Sequence, residues 1–304
     1  MNIRPNFRVS WLLLTVPFVS TLGISIAPSR AATFASSTTL VNLTNVSTNA
    51  ESSLASVDAA ALAISPVGST IDLDNLDDVS GEESIVAEAA NGNVIATADF
   101  NTVAFFPPDT SGNSSSFVSS ETDNEALGTG GDYLGISNTE STALANFFLN
   151  PEAGETETFS FDFNIFWGLE SFASRVTEFS SSTADVSLTV CGRTSLETNP
   201  LFCDSLSTFG NLNSAATTPT FSFQNSDPFS LDILSSPVVF GDSNDQQADF
   251  FALGSYQREF DTPIYLTLAE VQLSEAIVST PEASTTIAFF SFSAVMLALR
   301  KKKK

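Results

Sequence analysis

The chain has 304 residues, with 35 Asp and Glu against 11 Lys and Arg and no histidine, which gives a net charge of −24. Because histidine is absent, a Ser-His-Asp triad, a Cys-His dyad and any His-ligated zinc or copper site are excluded. The acidic excess excludes nucleic acid as a partner, since a phosphate backbone needs a basic surface. We predict that the protein is not an enzyme and has no catalytic, cofactor-binding or metal-binding residues.

The N-terminus has the three parts of a secretory signal peptide. Two arginines precede an apolar run over residues 9–27, and small residues then occupy the positions that a signal peptidase reads. This order predicts a signal peptide over 1–32, cleaved after Ala31 or, alternatively, after Ala32. A retained membrane span is the other interpretation, which the proline and the glycine inside the run disfavour.

Residues 33–279 form a predicted external domain with an extreme charge. Of the 11 Lys and Arg residues in the chain, only Arg175, Arg193 and Arg258 lie in this segment, and none is a lysine. Since 34 of the 35 acidic residues also lie there, the segment has a net charge of −31. The missing lysine excludes a Ser-Lys dyad and Schiff-base chemistry. The charge favours solubility in an ionic exterior.

The first half of this segment combines strand patterns with polar loops. A β-branched and polar run predicts a strand over 33–46, and alternation predicts another over 93–100. The spacing of apolar residues over 51–64 fits either a helix face or a strand. We expect 71–78 to be a solvated acidic loop, because its spacing fails the EF-hand test, and 111–132 to be a Ser, Gly and Asn loop.

The second half has the clearest strand of the chain. Between residues 159 and 167 one face carries Phe159, Phe161, Phe163, Ile165 and Trp167. We expect this face, including Trp167, to lie in the core. Further alternating runs cover 141–149, 186–190, 221–223, 229–233 and 264–268. Short strands between turn residues predict an all-β fold, a two-sheet antiparallel β-sandwich with jelly-roll-like connections.

The two cysteines, Cys191 and Cys203, are twelve positions apart. In an oxidising exterior such an isolated pair predicts a disulfide that closes the intervening loop. Two free thiols are the alternative.

Two other classes of function stay open beside a non-enzymatic one. Clustered acidic residues permit a calcium- or carbohydrate-binding module, although we expect residues such as Asp242, Asp245 and Asp249 to be simply solvated. Abundant carboxylates also permit a secreted glycosidase. We find no strand that carries the Glu-x-Asp-x-x-Glu arrangement such an enzyme would use.

The C-terminal region has three blocks in a fixed order. A turn-forming motif contains Pro281, Glu282 and Ala283, an apolar run follows over 287–299, and five cations end the segment: Arg300, Lys301, Lys302, Lys303 and Lys304. A hydrophobic helix followed by cations stops in a bilayer with its basic end on the cytoplasmic side. At about 1.5 Å per residue the apolar run is short for the bilayer core, so a helix over 285–299 is needed.

This tail resembles the PEP-CTERM sorting signal of exopolysaccharide-producing bacteria, and short stretches such as 157–164 and 254–260 are similar to cyanobacterial members of that group. The third motif position departs from the family, which usually has proline where this chain has Ala283. The resemblance implies processing by an exosortase-type enzyme during export. It implies no activity for the external domain.

We therefore predict three regions: a signal peptide over 1–32, an external β-sandwich over 33–279 and a sorting signal over 280–304. The expected function is that of an exported cell-surface or extracellular-matrix protein. Its expected partners are signal peptidase, an exosortase-type enzyme and the membrane, which the C-terminal helix contacts transiently or as an inner-membrane anchor. Exopolysaccharide is a further candidate partner.

Overall fold

The computed structural model describes residues 32–48, 50–77, 81–105, 117–175, 177–195, 199–214, 218–235, 237, 240–242 and 244–280. All of them belong to one compact unit. Its strands, in chain order, are β1 Ala32–Thr44, β2 Ser52–Ser65, β3 Gly68–Asp77, β4 Gly81–Asn91, β5 Val94–Phe105, β6 Phe117–Thr129, β7 Leu134–Leu149, β8 Glu157–Phe172, β9 Phe179–Arg193, β10 Phe202–Asn213, β11 Thr220–Asn225, β12 Phe229–Ser235, β13 Phe240–Asp242, β14 Asp245–Phe260 and β15 Ile264–Ser279.

The strands form two antiparallel sheets, which confirms the predicted all-β fold and its two-sheet layout. Sheet A has the order β12-β14-β8-β1-β6-β5-β4, with the short β13 beside β14. Sheet B has the order β11-β10-β9-β15-β7-β2-β3. The strands of the two sheets face one another in nearly matching order, so that β5 faces β2, β1 faces β15 and β8 faces β9. The core is the layer between them.

Side-chain alternation explains which face of each strand is buried. On β8 the predicted row from Phe159 to Trp167 is buried, and Trp167 itself is fully inaccessible to solvent. This confirms the core position predicted for the row. The residues between them, such as Asp162, point outward. Because successive side chains of a strand point to opposite faces, one apolar row is enough to fix which face of the strand is buried.

Two predictions about the first half were wrong, and one ambiguity is resolved. The acidic run expected as a loop at 71–78 forms most of β3, up to Asp77, and the Ser, Gly and Asn loop expected at 111–132 contains the long strand β6. The segment 51–64 is strand and not helix. On β6 the carboxylates point outward, whereas on β3 Asp72 and Asp74 share the inward face of Ala61 and Ala59 at the edge of the sandwich. Both strands take their backbone partners from neighbours, so pairing in the sheet overrides their low strand propensity.

The first and last described strands end side by side. Thr33 near the start of β1 pairs with Gly128, where no side chain would fit because the ring of Tyr133 occupies the space. Tyr133 also exchanges hydrogen bonds with Thr280, just past the end of β15: the Thr280 N–H donates to the Tyr133 carbonyl at 3.0 Å, and the Tyr133 N–H donates to Thr280 Oγ1 at 3.1 Å. The chain therefore enters and leaves this unit at one end.

Candidate functional site

The core between the sheets is divided by a band of polar side chains. On β1, Val41 belongs to an aromatic-rich cluster and Ala35 to an alanine-rich cluster, whereas the inward residues between them are polar. On the other central strands, too, the inward residues change from apolar to polar in the middle of the strand. We call this band the polar seam; it consists of Ser37, Thr39, Ser120, Thr122, Asn124, Ser137, Thr139, Ser141, Glu270, Gln272 and Ser274, all of them buried.

Glu270 is the only carboxylate of the seam, and it is 2% exposed. Its Oε1 accepts hydrogen bonds from the Ser120 hydroxyl on the opposite sheet and from Gln272 Nε2 at 2.6 Å. Its Oε2 has no hydrogen-bond partner among the residues that the structure describes. Burial raises the pKa of Glu270 to about 7, although the hydrogen bonds from Ser120 and Gln272 act in the opposite direction. The side chain therefore holds a proton below about pH 7.

Gln272 connects this carboxyl group to the opposite sheet a second time. Thr39 Oγ1 donates to Gln272 Oε1 at 2.8 Å, and the hydroxyls of Thr39 and Thr122 share a further hydrogen bond of 2.6 Å. One row along, Ser274 Oγ donates to the Ser37 carbonyl at 2.7 Å. These bonds join β15 of sheet B to β1 and β6 of sheet A. Each bond between the sheets pairs a particular residue of one sheet with a particular residue of the other.

The chemistry of the seam is limited by its enclosure. Glu270 can hold or release one proton, but a general acid must reach a substrate, and its side chain is closed off from solvent. Asn124 Nδ2 and Ser137 Oγ are further buried atoms without a hydrogen-bond partner in the described part of the chain. The seam is therefore a structural polar network with a titratable centre.

A second concentration of carboxylates covers the outer face of sheet A. Asp99 and Asp123 lie directly opposite each other on β5 and β6, and Thr38 donates a 3.1 Å hydrogen bond to Asp123. Partial burial, and next to it the charge of neighbouring carboxylates, raises the pKa of Glu121, Glu125 and Glu170. Repulsion between these carboxylates opposes their ionisation, and bound cations would reduce this repulsion.

No dedicated metal site accompanies these carboxylates within the described ranges. There, no three His, Cys, Asp or Glu side chains converge as metal ligands would. In the acidic stretch of β3, Asp72 Oδ2 accepts the Glu88 N–H at 3.0 Å and Asp74 accepts the N–H of Asn75 at 3.0 Å. Asp72 thus bonds to the backbone of β4 in the opposite sheet, and Asp74 bonds to the backbone of its own strand.

The two cysteines lie opposite each other on β9 and β10 and form a disulfide. Next to it, Asp204 Oδ2 accepts the Tyr256 hydroxyl at 2.9 Å and Arg258 Nη1 at 2.7 Å. The guanidinium carbon of Arg258 lies 3.5 Å from the centre of the Phe202 ring. The disulfide and this cluster together connect β10 to its neighbour β9 and to β14 of the other sheet.

Most of the residues predicted to act in export lie outside the described residues. These are the cleavage residue Ala31, the motif Pro281, Glu282 and Ala283, and the basic residues Arg300, Lys301, Lys302, Lys303 and Lys304. Ala32 is the first residue of β1. Within the described residues there is no helix of sufficient length and hydrophobicity to cross a membrane.

The polar seam was missed by sequence reasoning, although a signal for it exists. Ile264, Leu266 and Leu268 set the inward phase of β15. Continuing this phase by two residues at a time places Glu270 and Gln272 inside, whereas the apolar residues Val271 and Leu273 point outward. The signal is the phase of a long strand and not its local hydrophobicity.

The fold and the seam define a large antiparallel β-sandwich with a buried polar network and an acidic outer surface. No protein-family model and no curated protein matches the chain.

Proposed function

We propose that this protein is an exported, non-enzymatic cell-surface or extracellular-matrix protein, with a signal peptide over 1–32 and a C-terminal sorting signal over 280–304 that an exosortase-type enzyme processes. Both flanks carry their cations on the side expected to face the cytoplasm. The domain itself has jelly-roll-like connections in this proposal, since the chain crosses between the sheets at β1 to β2, at β3 to β4, at each step from β6 to β9, at β11 to β12 and at β14 to β15.

The observation that carries the proposal is the meeting of the two described ends at Tyr133. A segment that enters a membrane before the domain and another that enters it after the domain must both start from the side nearest the membrane. Thr33 pairs with Gly128, the Tyr133 ring lies against Gly128, and Thr280 is hydrogen-bonded to Tyr133. The proximity of the two ends supports the proposal. The acidic sheets then extend outward, where they keep the domain soluble.

Cell fractionation combined with mass spectrometry tests this proposal. The full chain is expressed in a host that has an exosortase-type enzyme, and the surface, membrane and cytosolic fractions are probed. We expect an N-terminus at residue 32 or 33 and a C-terminus near Pro281 in the surface fraction. A chain with both ends intact in the cytosol contradicts the proposal. As a matched control, a chain lacking the five terminal cations should accumulate unprocessed.

A carbohydrate-binding module is the second candidate, and one surface feature favours it. Tyr265 and Phe148 form an outward-facing aromatic pair on sheet B with ring centres 4.6 Å apart. Beside them Thr267 Oγ1 donates to Asn146 Oδ1 at 2.8 Å, and Asn146 Nδ2 donates to Ser52 at 3.1 Å. An aromatic platform next to amide and hydroxyl groups is an arrangement that suits a sugar ring.

Thermal shifts with a panel of neutral and acidic glycans test the second candidate. Binding should raise the melting temperature of the unaltered protein and not that of the Tyr265→Ala variant. Tyr256→Phe is the control, because Tyr256 is buried and cannot stack on a ligand. If no glycan changes the melting temperature of the unaltered protein, the carbohydrate-binding candidate is rejected. The proposal of an exported surface or matrix protein is not affected by that result.

A further inference from the structure

Five apolar side chains form a patch on the outside of sheet B. In the sheet register Leu62 and Ile277 lie on either side of Ile136, and Ile64 lies beside Leu134. These residues alternate with inward ones such as Ala61 and Ala63, so they point away from the core between the sheets. We call them the outer patch.

The outer patch is buried in spite of its position. Leu134 is 1% exposed and Leu62 and Ile136 are each 6% exposed. By comparison Leu54, which points outward from the same strand as Leu62, is 46% exposed. Apolar side chains at outward positions of a sheet are favourable where another segment keeps water away from them, because apolar surface in water is unfavourable.

The described chain ends beside the outer patch. Ser279 pairs with Leu134, and Thr280 is held by two hydrogen bonds to Tyr133, the residue before it. The residues that follow include the apolar run 287–299 and the basic residues 300–304. A six-residue connection, 281–286, reaches at most about 20 Å, which is enough to bring the apolar run back over the sheet.

A row of carboxylates lies below the outer patch on the same outer face. Asp185 and Glu140 lie on either side of Leu273 in the register, and Asp58 lies beyond Glu140. Glu275 lies between this row and the outer patch. It is partly buried, and its loss of hydration raises its pKa to about 7. An apolar surface followed by acidic groups complements an apolar segment followed by cations.

We propose that the outer patch is the docking site of the chain's own C-terminal segment, with residues 287–299 on Leu62, Leu134 and Ile136, and with the basic residues 300–304 at the carboxylate row. As a helix the apolar run is about 20 Å long, so the cations would reach past Glu275 to Glu140 and Asp185. Docking shelters the segment from water until it enters a membrane. The role given to docking rests on the proposed function, whereas the contact itself concerns the chain before processing and is tested without export.

Site-specific photo-cross-linking of the full chain tests the proposal. The protein is synthesised without membranes and under oxidising conditions, with benzoylphenylalanine in place of Ile71. That residue pairs with Leu62 and is 53% exposed, so the probe lies at the rim of the outer patch. The control probe replaces Leu253, which is 40% exposed on the other sheet. We expect cross-linked peptides from 287–299 at position 71 and not at position 253.

Two variants distinguish docking from chance contact. Ile136→Asp should lower the cross-link yield about tenfold, because a carboxylate then enters an apolar contact, whereas Leu54→Asp should leave the yield unchanged. Replacing Lys301 to Lys304 by Glu should also lower the yield, and this variant leaves the folded domain unaltered. The proposal is overturned by equal yields at positions 71 and 253, by cross-links from position 71 only to residues 1–31 or to a second copy, or by no effect of the Lys-to-Glu change.

Discussion

Ser120 on β6 donates a hydrogen bond to Glu270 on β15 across the space between the sheets, and neither residue is more than 3% exposed. Since the pKa of Glu270 is raised to about 7 in the fold, the folded state keeps a proton that the unfolded chain loses near pH 4.5. Between these values the folded state binds more protons, so the free energy of unfolding falls as pH rises. Relative to high pH, the proton on Glu270 adds roughly 3 kcal/mol to the free energy of unfolding. This difference is fully present below about pH 4.5 and is lost as the pH rises through about 7.

We therefore predict that Glu270→Gln flattens the pH dependence of stability. The variant should gain stability relative to the unaltered protein at about pH 8, where the carboxylate would be charged and buried. Urea unfolding at about pH 5 and about pH 8 measures this difference. Glu140→Gln, at an exposed position on the same sheet, is the control and should keep the original slope. An identical slope in Glu270→Gln and the unaltered protein contradicts the prediction.

The sequence predicts the fold class well because alternation is a local signal. The row from Phe159 to Trp167 shows its buried face within nine residues, and its neighbours in the sheet only add to it. In contrast β6 carries three carboxylates on one face and mainly polar side chains on the other, so nothing local distinguishes it from a loop. It is a strand because β1 and β5 supply its backbone partners on either side.

The pairing of residues within the polar seam could not be predicted for the same reason, although the phase of β15 indicates that Glu270 points inward. Glu270 is buried because the phase of β15 is fixed by apolar residues at its two ends. Its partner Ser120 lies 150 positions earlier in the chain, and no local pattern reports such a pairing. Only the stacking of the sheets brings the two side chains together.

The disulfide between Cys191 and Cys203 should stabilise the domain by about 3 kcal/mol, because it closes a short loop between β9 and β10 in the unfolded chain. Replacing both cysteines by Ser should lower the free energy of unfolding by about this amount. Urea unfolding with and without a reductant measures it. A reductant should destabilise the unaltered protein and leave the double variant unchanged, and equal stability of the two proteins without reductant would contradict the estimate.

Because Gly210 on β10 has no side chain, it leaves the space that the ring of Trp167 occupies in the core. A methyl group at residue 210 would come within 2.8 Å of Trp167 Cη2 and 2.9 Å of Leu169 Cδ1. Gly210→Ala should therefore destabilise the domain by about 1 to 3 kcal/mol, since the indole ring has no space into which to move. Thermal unfolding compared with Ser207→Ala, three residues earlier on the outer face, tests this. Equal melting temperatures of the two variants would contradict the predicted clash of a methyl group at residue 210 with Trp167 and Leu169.

Asp204 and Arg258 should contribute to stability as a coupled pair. Arg258 is partly exposed, so the ion pair is weakened by solvent, yet Asp204 is 8% exposed and also accepts the Tyr256 hydroxyl. A double-mutant cycle of Asp204→Ala and Arg258→Ala should give a coupling energy of about 1 kcal/mol. Repeating the cycle at high salt is the control, because screening reduces the coupling of partly exposed charges. Additive effects at low salt would show that the pair is not coupled.

Ala283 provides a test of the proposed sorting signal, because the family that the tail resembles usually has proline at this position. Proline fixes the backbone of its own residue and restricts the residue before it, which would hold the motif in one extended conformation for the processing enzyme. We expect Ala283→Pro to increase the rate at which the C-terminal segment is removed in a host with an exosortase-type enzyme. A pulse-chase measurement of the uncut and cut chains gives that rate. Ala283→Ser is the matched control and should behave like the unaltered chain, and slower or unchanged processing of Ala283→Pro would mean that the tail is not read as this type of signal.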